Sequence, residues 1–74
     1  MITLKQIQAK LIEALKQSGM SQTALAKELN IRQQTVSHYL NGDIMPALDT
    51  FANLCAVLDI DPADILCIDE YAKN

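Results

Sequence analysis

The stretch from Ser21 to Gly42, SQTALAKELNIRQQTVSHYLNG, most constrains how this chain can fold. It holds two short segments with apolar residues at helical spacing, joined by only three or four residues. Two helices joined so closely must cross near the joint, which requires a small residue on the inner face of the first. Ala26 meets that requirement. The side chains predicted to pack between the two helices are Leu25, Leu29, Ile31, Val36 and Tyr39.

Start and stop signals predict further short helices on both sides of this pair. These signals are Thr3 with Gln6, Gly19, Pro46, and Asp61 with Pro62. They indicate a first helix between a capping box and a glycine, a fourth that begins at a proline, and a short fifth after an Asp-Pro pair. No segment alternates with the period of two typical of strands. We therefore predict an all-α fold, a compact bundle of five short helices in one domain over residues 1–74.

The composition argues against several classes of function. Cys55 and Cys67 lie among apolar residues and are expected to be buried structural thiols. Together with the single histidine, His38, they lack the spacing of a zinc site, so we expect no metal and no cofactor. His38 also lacks a serine or cysteine partner for nucleophilic catalysis, which argues against an enzyme. Because no apolar run approaches the ~18 residues of a membrane span, we expect a cytoplasmic protein without membrane contact.

The net charge of −3 is distributed unevenly along the chain. Residues 1–42 hold five Lys or Arg against two Glu, a charge of +3, whereas residues 43–74 hold one Lys against seven acidic residues, a charge of −6. Salt screens charges beyond ~8–10 Å, so a polyanion would respond to the nearest face of the protein more than to the total charge. The alternative is that both halves are ordinary solvated surfaces.

Polar residues without a formal charge line the outward side of the predicted third helix. They are Gln33, Gln34, Ser37, His38 and Asn41. An α-helix fits the DNA major groove, where Gln can make two hydrogen bonds to adenine and Ser or His can reach base edges or phosphate. A face that is merely solvated would more often carry Lys and Glu. The pattern therefore favours direct contact with bases.

Several short motifs occur in an order that is typical of one family. They are Gly19, Ser21-Gln22, Leu25-Ala26, Asn41-Gly42, Pro46 and the run Phe51-Ala52-Asn53-Leu54-Cys55. On these residues the chain resembles the Cro/phage-repressor family, also called the Xre family, over about residues 4–66. The resemblance implies a lambda-repressor-like DNA-binding domain whose helix-turn-helix unit spans about residues 21–42.

The resemblance also implies roles for individual residues. Gln33, Gln34 and His38 match positions that touch bases in the family, and Ser37 lies on the same face. Gln22 matches a phosphate-binding position at the start of the second helix, where helix N-termini favour anions.

Two further residues are expected to meet the phosphate backbone. Asn41 is expected to lie in the loop that leaves the third helix. Arg32 stands where the family usually has a Ser or Thr N-cap, a change that weakens the cap by about 1 kcal/mol and adds a positive charge able to contact phosphate.

Two leucines depart together from the family pattern. Many relatives carry Arg and Glu at the positions of Leu15 and Leu40, and those two charges meet beneath the recognition helix. Our hypothesis is that a leucine–leucine contact replaces the ion pair, a replacement that can be neutral or stabilising.

The expected function is sequence-specific regulation of transcription through double-stranded DNA. The simplest version is a nucleoid-associated repressor that binds an inverted-repeat operator as a homodimer. We expect the dimer contact around the acidic C-terminal tail, at Ile65, Leu66, Ile68 and Tyr71, and around the loop after Gly42. The alternative is that the tail, about residues 67–74, only completes the core.

Two other functions remain open. In the first, the chain is an antitoxin-type module whose acidic C-terminal half binds and neutralises a partner protein, with DNA binding secondary. In the second, the fold is retained without DNA binding.

Overall fold

A computed structural model describes residues 1–69, and its helices confirm the all-α prediction. In chain order they are α1 (Leu4–Gln17), α2 (Gln22–Leu29), α3 (Gln33–Asn41), α4 (Leu48–Leu58) and α5 (Pro62–Ile65). Most of the predicted acidic tail, including Tyr71, lies outside the described residues. Within residues 1–69, no helix has the length and apolar character needed to cross a membrane.

The predicted N-terminal caps form. The backbone N–H of Thr3 donates to Gln6 Oε1 at 2.8 Å, and the N–H of Gln6 donates back to Thr3 Oγ1 at 3.2 Å, which completes a capping box. Ser21 Oγ accepts from the N–H of Ala24 at 3.1 Å at the start of α2. Asp61 caps α5. These side chains satisfy N–H groups that have no partner inside the helix.

One predicted boundary was wrong. α4 begins at Leu48, two residues after Pro46, with Ala47 as its N-cap. The later start places Asp49 in the first turn of the helix, where a carboxylate interacts favourably with the positive end of the helix dipole. The proline therefore belongs to the connection that precedes α4.

One cluster of buried side chains joins all five helices. Its members are Leu11, Leu15, Leu25, Ala26, Val36, Tyr39, Leu54 and Ile65. α1 contacts α3 and α5, and α2 contacts α3 and α4, so α3 lies against both of the first two helices. The predicted inner residues of the α2–α3 pair are confirmed, including Ala26 at 5% exposure.

The two cysteines are buried free thiols, as predicted. Burial raises the pKa of the Cys55 thiol, and the nearby Asp61 carboxylate raises it further. Cys67 is the last buried residue of the described chain, and its backbone has a positive φ of 63°.

Leu40 tests the hypothesis of a leucine contact beneath α3. It is half-buried and packs against the cluster that contains Leu15. We expect Leu40→Glu to lower the free energy of unfolding by about 1–3 kcal/mol, because apolar packing is lost and a carboxylate is partly buried. Thermal or denaturant unfolding measures this.

A matched control for Leu40→Glu is Leu4→Glu, because Leu4 is 72% exposed, and its effect should stay within about 0.5 kcal/mol. If Leu15 and Leu40 are in contact, adding Leu15→Arg to Leu40→Glu should recover part of the lost free energy of unfolding. An unchanged melting temperature in Leu40→Glu would show that the two leucines do not pack together.

The phenol of Tyr39 gives a pH-dependent test of the same packing. Burial raises the Tyr39 pKa above its ordinary value of 10.0, and the Asp49 carboxylate adds to the shift. As the pH rises through about 10, the unfolded chain loses this proton before the folded chain does, so folding stability falls. Below that pH the contribution is fully present.

We therefore expect native protein to lose stability faster than Tyr39→Phe above about pH 10. Denaturant unfolding at a series of pH values measures the difference between the two proteins, in which the shared Cys55 contribution cancels. If the free energies of unfolding of the two proteins changed in parallel with pH, the phenol of Tyr39 would not be buried in the folded protein.

Candidate nucleic-acid interface

The start of α3 and the start of α2 share one surface. Gln33 and Gln34 are exposed on the first turn of α3, and Ser37 lies one turn further along. These three side chains line a shallow open concavity together with Gln22, the first residue of α2. The structure thus brings together four residues that the sequence selected for DNA contact.

The arrangement follows from the helical period. Val36 and Tyr39 are 1% and 5% exposed, so they fix the inner face of α3 against the core. Residues three or four apart share one face of a helix. Gln34 and Ser37 are therefore directed away from the core, and Gln33 lies at the side of the helix, where it is exposed in the first turn.

The turn between α2 and α3 depends on Asn30. This residue has a φ of 56° and a ψ of 44°, and its N–H donates to carbonyl groups at the end of α2. Asn tolerates this left-handed conformation better than most residues do. The turn leaves only Ile31 and Arg32 before α3 begins.

His38 is paired with a residue that the sequence analysis missed. Its Nδ1 lies 3.0 Å from Oδ2 of Asp43, and both side chains are about half exposed, at 45% and 57%. The backbone N–H of Asp43 also donates to the His38 carbonyl at 3.0 Å. Gly42, with a φ of 79°, provides the left-handed residue that turns the chain back for both contacts.

Arg32 is the N-cap of α3 and makes no side-chain cap hydrogen bond. Instead the N–H of Thr35 donates to the Arg32 carbonyl at 3.0 Å. The predicted loss of a side-chain cap is therefore confirmed, and Arg32 is exposed next to Gln33. Asn41 is the last residue of α3 rather than part of the loop, because the left-handed cap comes one residue later, at Gly42.

Gln8 on α1 makes a hydrogen bond to the C-terminal end of α3. Its Nε2 donates to the Gly42 carbonyl at 3.0 Å, which links α1 to the residue that ends α3. This residue was also missed, because a contact across 34 positions leaves no local pattern in the sequence.

The acidic half of the chain contains a group of carboxylates near α5. Oxygen atoms of Asp61, Asp64 and Asp69 lie within 4.8 Å of one another, and all three residues are exposed. Such a group provides negative surface potential.

A search of curated proteins gives no significant match. The solution structure of the SOS-response transcriptional repressor LexA from Eubacterium rectale matches with a TM-score of 0.73 and 22% identity, over 89% of this chain and 73% of that one. At this identity the likeness concerns the fold. A family model described as helix-turn-helix, HTH_3, matches residues 11–65. The chain belongs to this Cro/phage-repressor type of helix-turn-helix family, which is a family of DNA-binding proteins.

Proposed function

We propose that this protein is a sequence-specific transcriptional repressor that binds an inverted-repeat operator as a homodimer. In this proposal α3 enters the major groove, where Gln33, Gln34, Ser37 and His38 contact base edges. Repression follows from occupancy, because a dimer on its operator blocks access of other proteins to the same DNA. The protein acts in the cytoplasm, at the nucleoid, and as a regulator rather than an enzyme.

The shared concavity at the starts of α2 and α3 carries the proposal. It contains three glutamine amides and a serine hydroxyl, groups that can donate and accept hydrogen bonds without a fixed charge. Gln22 lies at the N-terminus of α2, where it would meet phosphate while α3 reads bases. Arg32 and Asn41, exposed at the two ends of α3, are proposed to contact the backbone on either side.

Exposed apolar side chains support the homodimer. Ile44 and Leu48, in and after the loop that follows Gly42, are 45% and 86% exposed, and Ile68 is 46% exposed. Ile65 belongs to the core cluster and so completes the fold instead of facing a partner. A dimer would place two copies of α3 about one helical turn of DNA apart, ~34 Å.

The carboxylate group of Asp61, Asp64 and Asp69 favours a second candidate function, an antitoxin-type module that binds a basic partner protein. The concavity on α2 and α3 then has a secondary role. Loss of complex formation on replacing these aspartates, with DNA binding intact, would distinguish this function from the first.

Selection of bound sequences from a random DNA pool tests the main proposal. We expect a short inverted repeat. Gln33→Ala and Gln34→Ala should each cost ~1–3 kcal/mol of binding and relax one base position per half-site. Gln22→Ala should weaken binding to all sequences alike, because phosphate contacts carry no direct sequence information.

Gln17→Ala is the matched control, since Gln17 lies at the end of α1 and lines a different groove with Leu58 and Ile60. It should leave affinity and selected sequence unchanged. The proposal fails if native protein shows no salt-dependent binding to DNA, or if Gln33→Ala and Gln34→Ala behave like the control.

Arg32 gives a second test, in which stability and binding change in opposite directions. Arg32→Ser should add a cap to α3 and raise the free energy of unfolding by about 1 kcal/mol. It should also weaken DNA binding. The negative slope of the logarithm of the binding constant against log salt should become shallower by about 0.9 for each Arg32 in the complex.

Arg32→Ala separates the two effects, because it removes the charge without adding a cap. Its salt slope should match that of Arg32→Ser while its stability stays at or below the native value. A salt slope unchanged in both variants would rule out a phosphate contact by Arg32.

A further inference from the structure

The His38–Asp43 pair is held in place by the way α3 ends. Gly42 reverses the chain, the Asp43 N–H donates to the His38 carbonyl, and the Asp43 carboxylate then lies 3.0 Å from His38 Nδ1. The backbone N–H and the carboxylate of Asp43 thus both contact His38. His38 is therefore positioned by local geometry that the folded chain provides before any ligand arrives.

We propose that Asp43 is a positioning residue that fixes the tautomer of His38 and thereby the base that His38 selects. The inference rests on the proposed function, in which His38 faces base edges. A carboxylate only accepts hydrogen bonds, so the neutral imidazole must carry its proton on Nδ1. Nε2, the other ring nitrogen, is then an acceptor.

An acceptor at Nε2 discriminates between bases. In the major groove the only donors are the amino groups of adenine and cytosine, whereas O6 and N7 of guanine, O4 of thymine and N7 of adenine are acceptors. His38 held by Asp43 therefore selects a base with an amino group at one position in each half-site. Without Asp43 the ring can also adopt the Nε2–H tautomer, which can bond the acceptor atoms of guanine, thymine and adenine, so the preference for an amino group is lost.

The Asp43 carboxylate also repels the phosphate backbone, and this second effect must be separated from the first. Loss of the charge alone raises affinity for every DNA sequence by a similar factor. Loss of the tautomer preference lowers discrimination at a single position. Overall affinity for DNA thus reports the charge of Asp43, and discrimination between bases reports its effect on the His38 tautomer.

Asp43→Asn is the test variant, because Asn has the same shape and its amide can either accept from Nδ1 or donate to it. We expect discrimination at one base position per half-site to fall roughly 2- to 10-fold, the size of one neutral hydrogen bond. Asp49→Asn is the control. It removes an equal charge from the first turn of α4, where Asp49 Oδ1 accepts from the N–H of Thr50, and should leave the selected sequence unchanged.

His38→Ala completes a double-mutant cycle, which measures whether Asp43 acts through His38. In the His38→Ala background, Asp43→Asn should change overall affinity but no longer change discrimination. If Asp43→Asn has the same effect on discrimination in both backgrounds, or behaves like Asp49→Asn, the inference is wrong while the proposed function stands. Failure of native protein to bind DNA selectively would instead overturn the proposed function.

The tautomer can be measured without DNA. Because His38 is the only histidine in the chain, nitrogen-15 NMR of the imidazole needs no assignment by mutation. At about pH 8 we expect the Nδ1–H form in native protein and an increased Nε2–H population in Asp43→Asn. A predominant Nε2–H form or imidazolium in native protein would overturn the inference.

Discussion

The close packing of α2 against α3 is the contact on which the rest of the structure depends. Ala26 allows the two helices to approach, and Leu25 and Val36, each 1% exposed, fill the space between and beneath them. A large residue in place of Ala26 would separate the helices, because protein interiors have little free volume. The separation would also pull apart Gln22 and Gln33, which lie on different helices and share one concavity only because the helices cross. Core packing and the polar surface are thus parts of the same geometry.

The end of α3 shows how several requirements meet at one turn. Gly42 supplies a left-handed residue, and its carbonyl accepts a hydrogen bond from Gln8 on α1. Any other residue at this position would be strained in the left-handed backbone conformation, and its Cβ would contact the Gln8 side chain at 3.7 Å. The same turn brings Asp43 to His38. A substitution at Gly42 would therefore disturb the anchoring of α3 and the orientation of one of its outward side chains at the same time.

Local signals in the sequence predicted most of the fold. The caps at Thr3, Ser21 and Asp61 and the turn at Asn30 were predictable, because each depends on residues within a few positions. Apolar periodicity identified the buried face of α3 and, by exclusion, the outward residues of the concavity. The start of α4 was misplaced because a proline is compatible both with the first helical position and with the connection before it. Gln8 could not be found, since its partner lies far away in the sequence. Asp43 is near His38 in sequence, but the contact depends on the turn at Gly42 and not on spacing alone.

The charge distribution explains how an acidic protein can present a surface to a polyanion. The outward side of α3 carries neutral amides and hydroxyls, and its N-terminal cap is an arginine that contributes charge at the expense of helix capping. The carboxylates of Asp61, Asp64 and Asp69 form a separate group around α5, which packs against α1. Asp43 is the exception, an acid directly beside the proposed base-reading residues. An unfavourable charge at that place is understandable if its carboxylate orients His38, because specificity depends on the difference between right and wrong partners rather than on affinity alone. Weaker binding to every sequence is then acceptable, provided that binding to the wrong sequences weakens more.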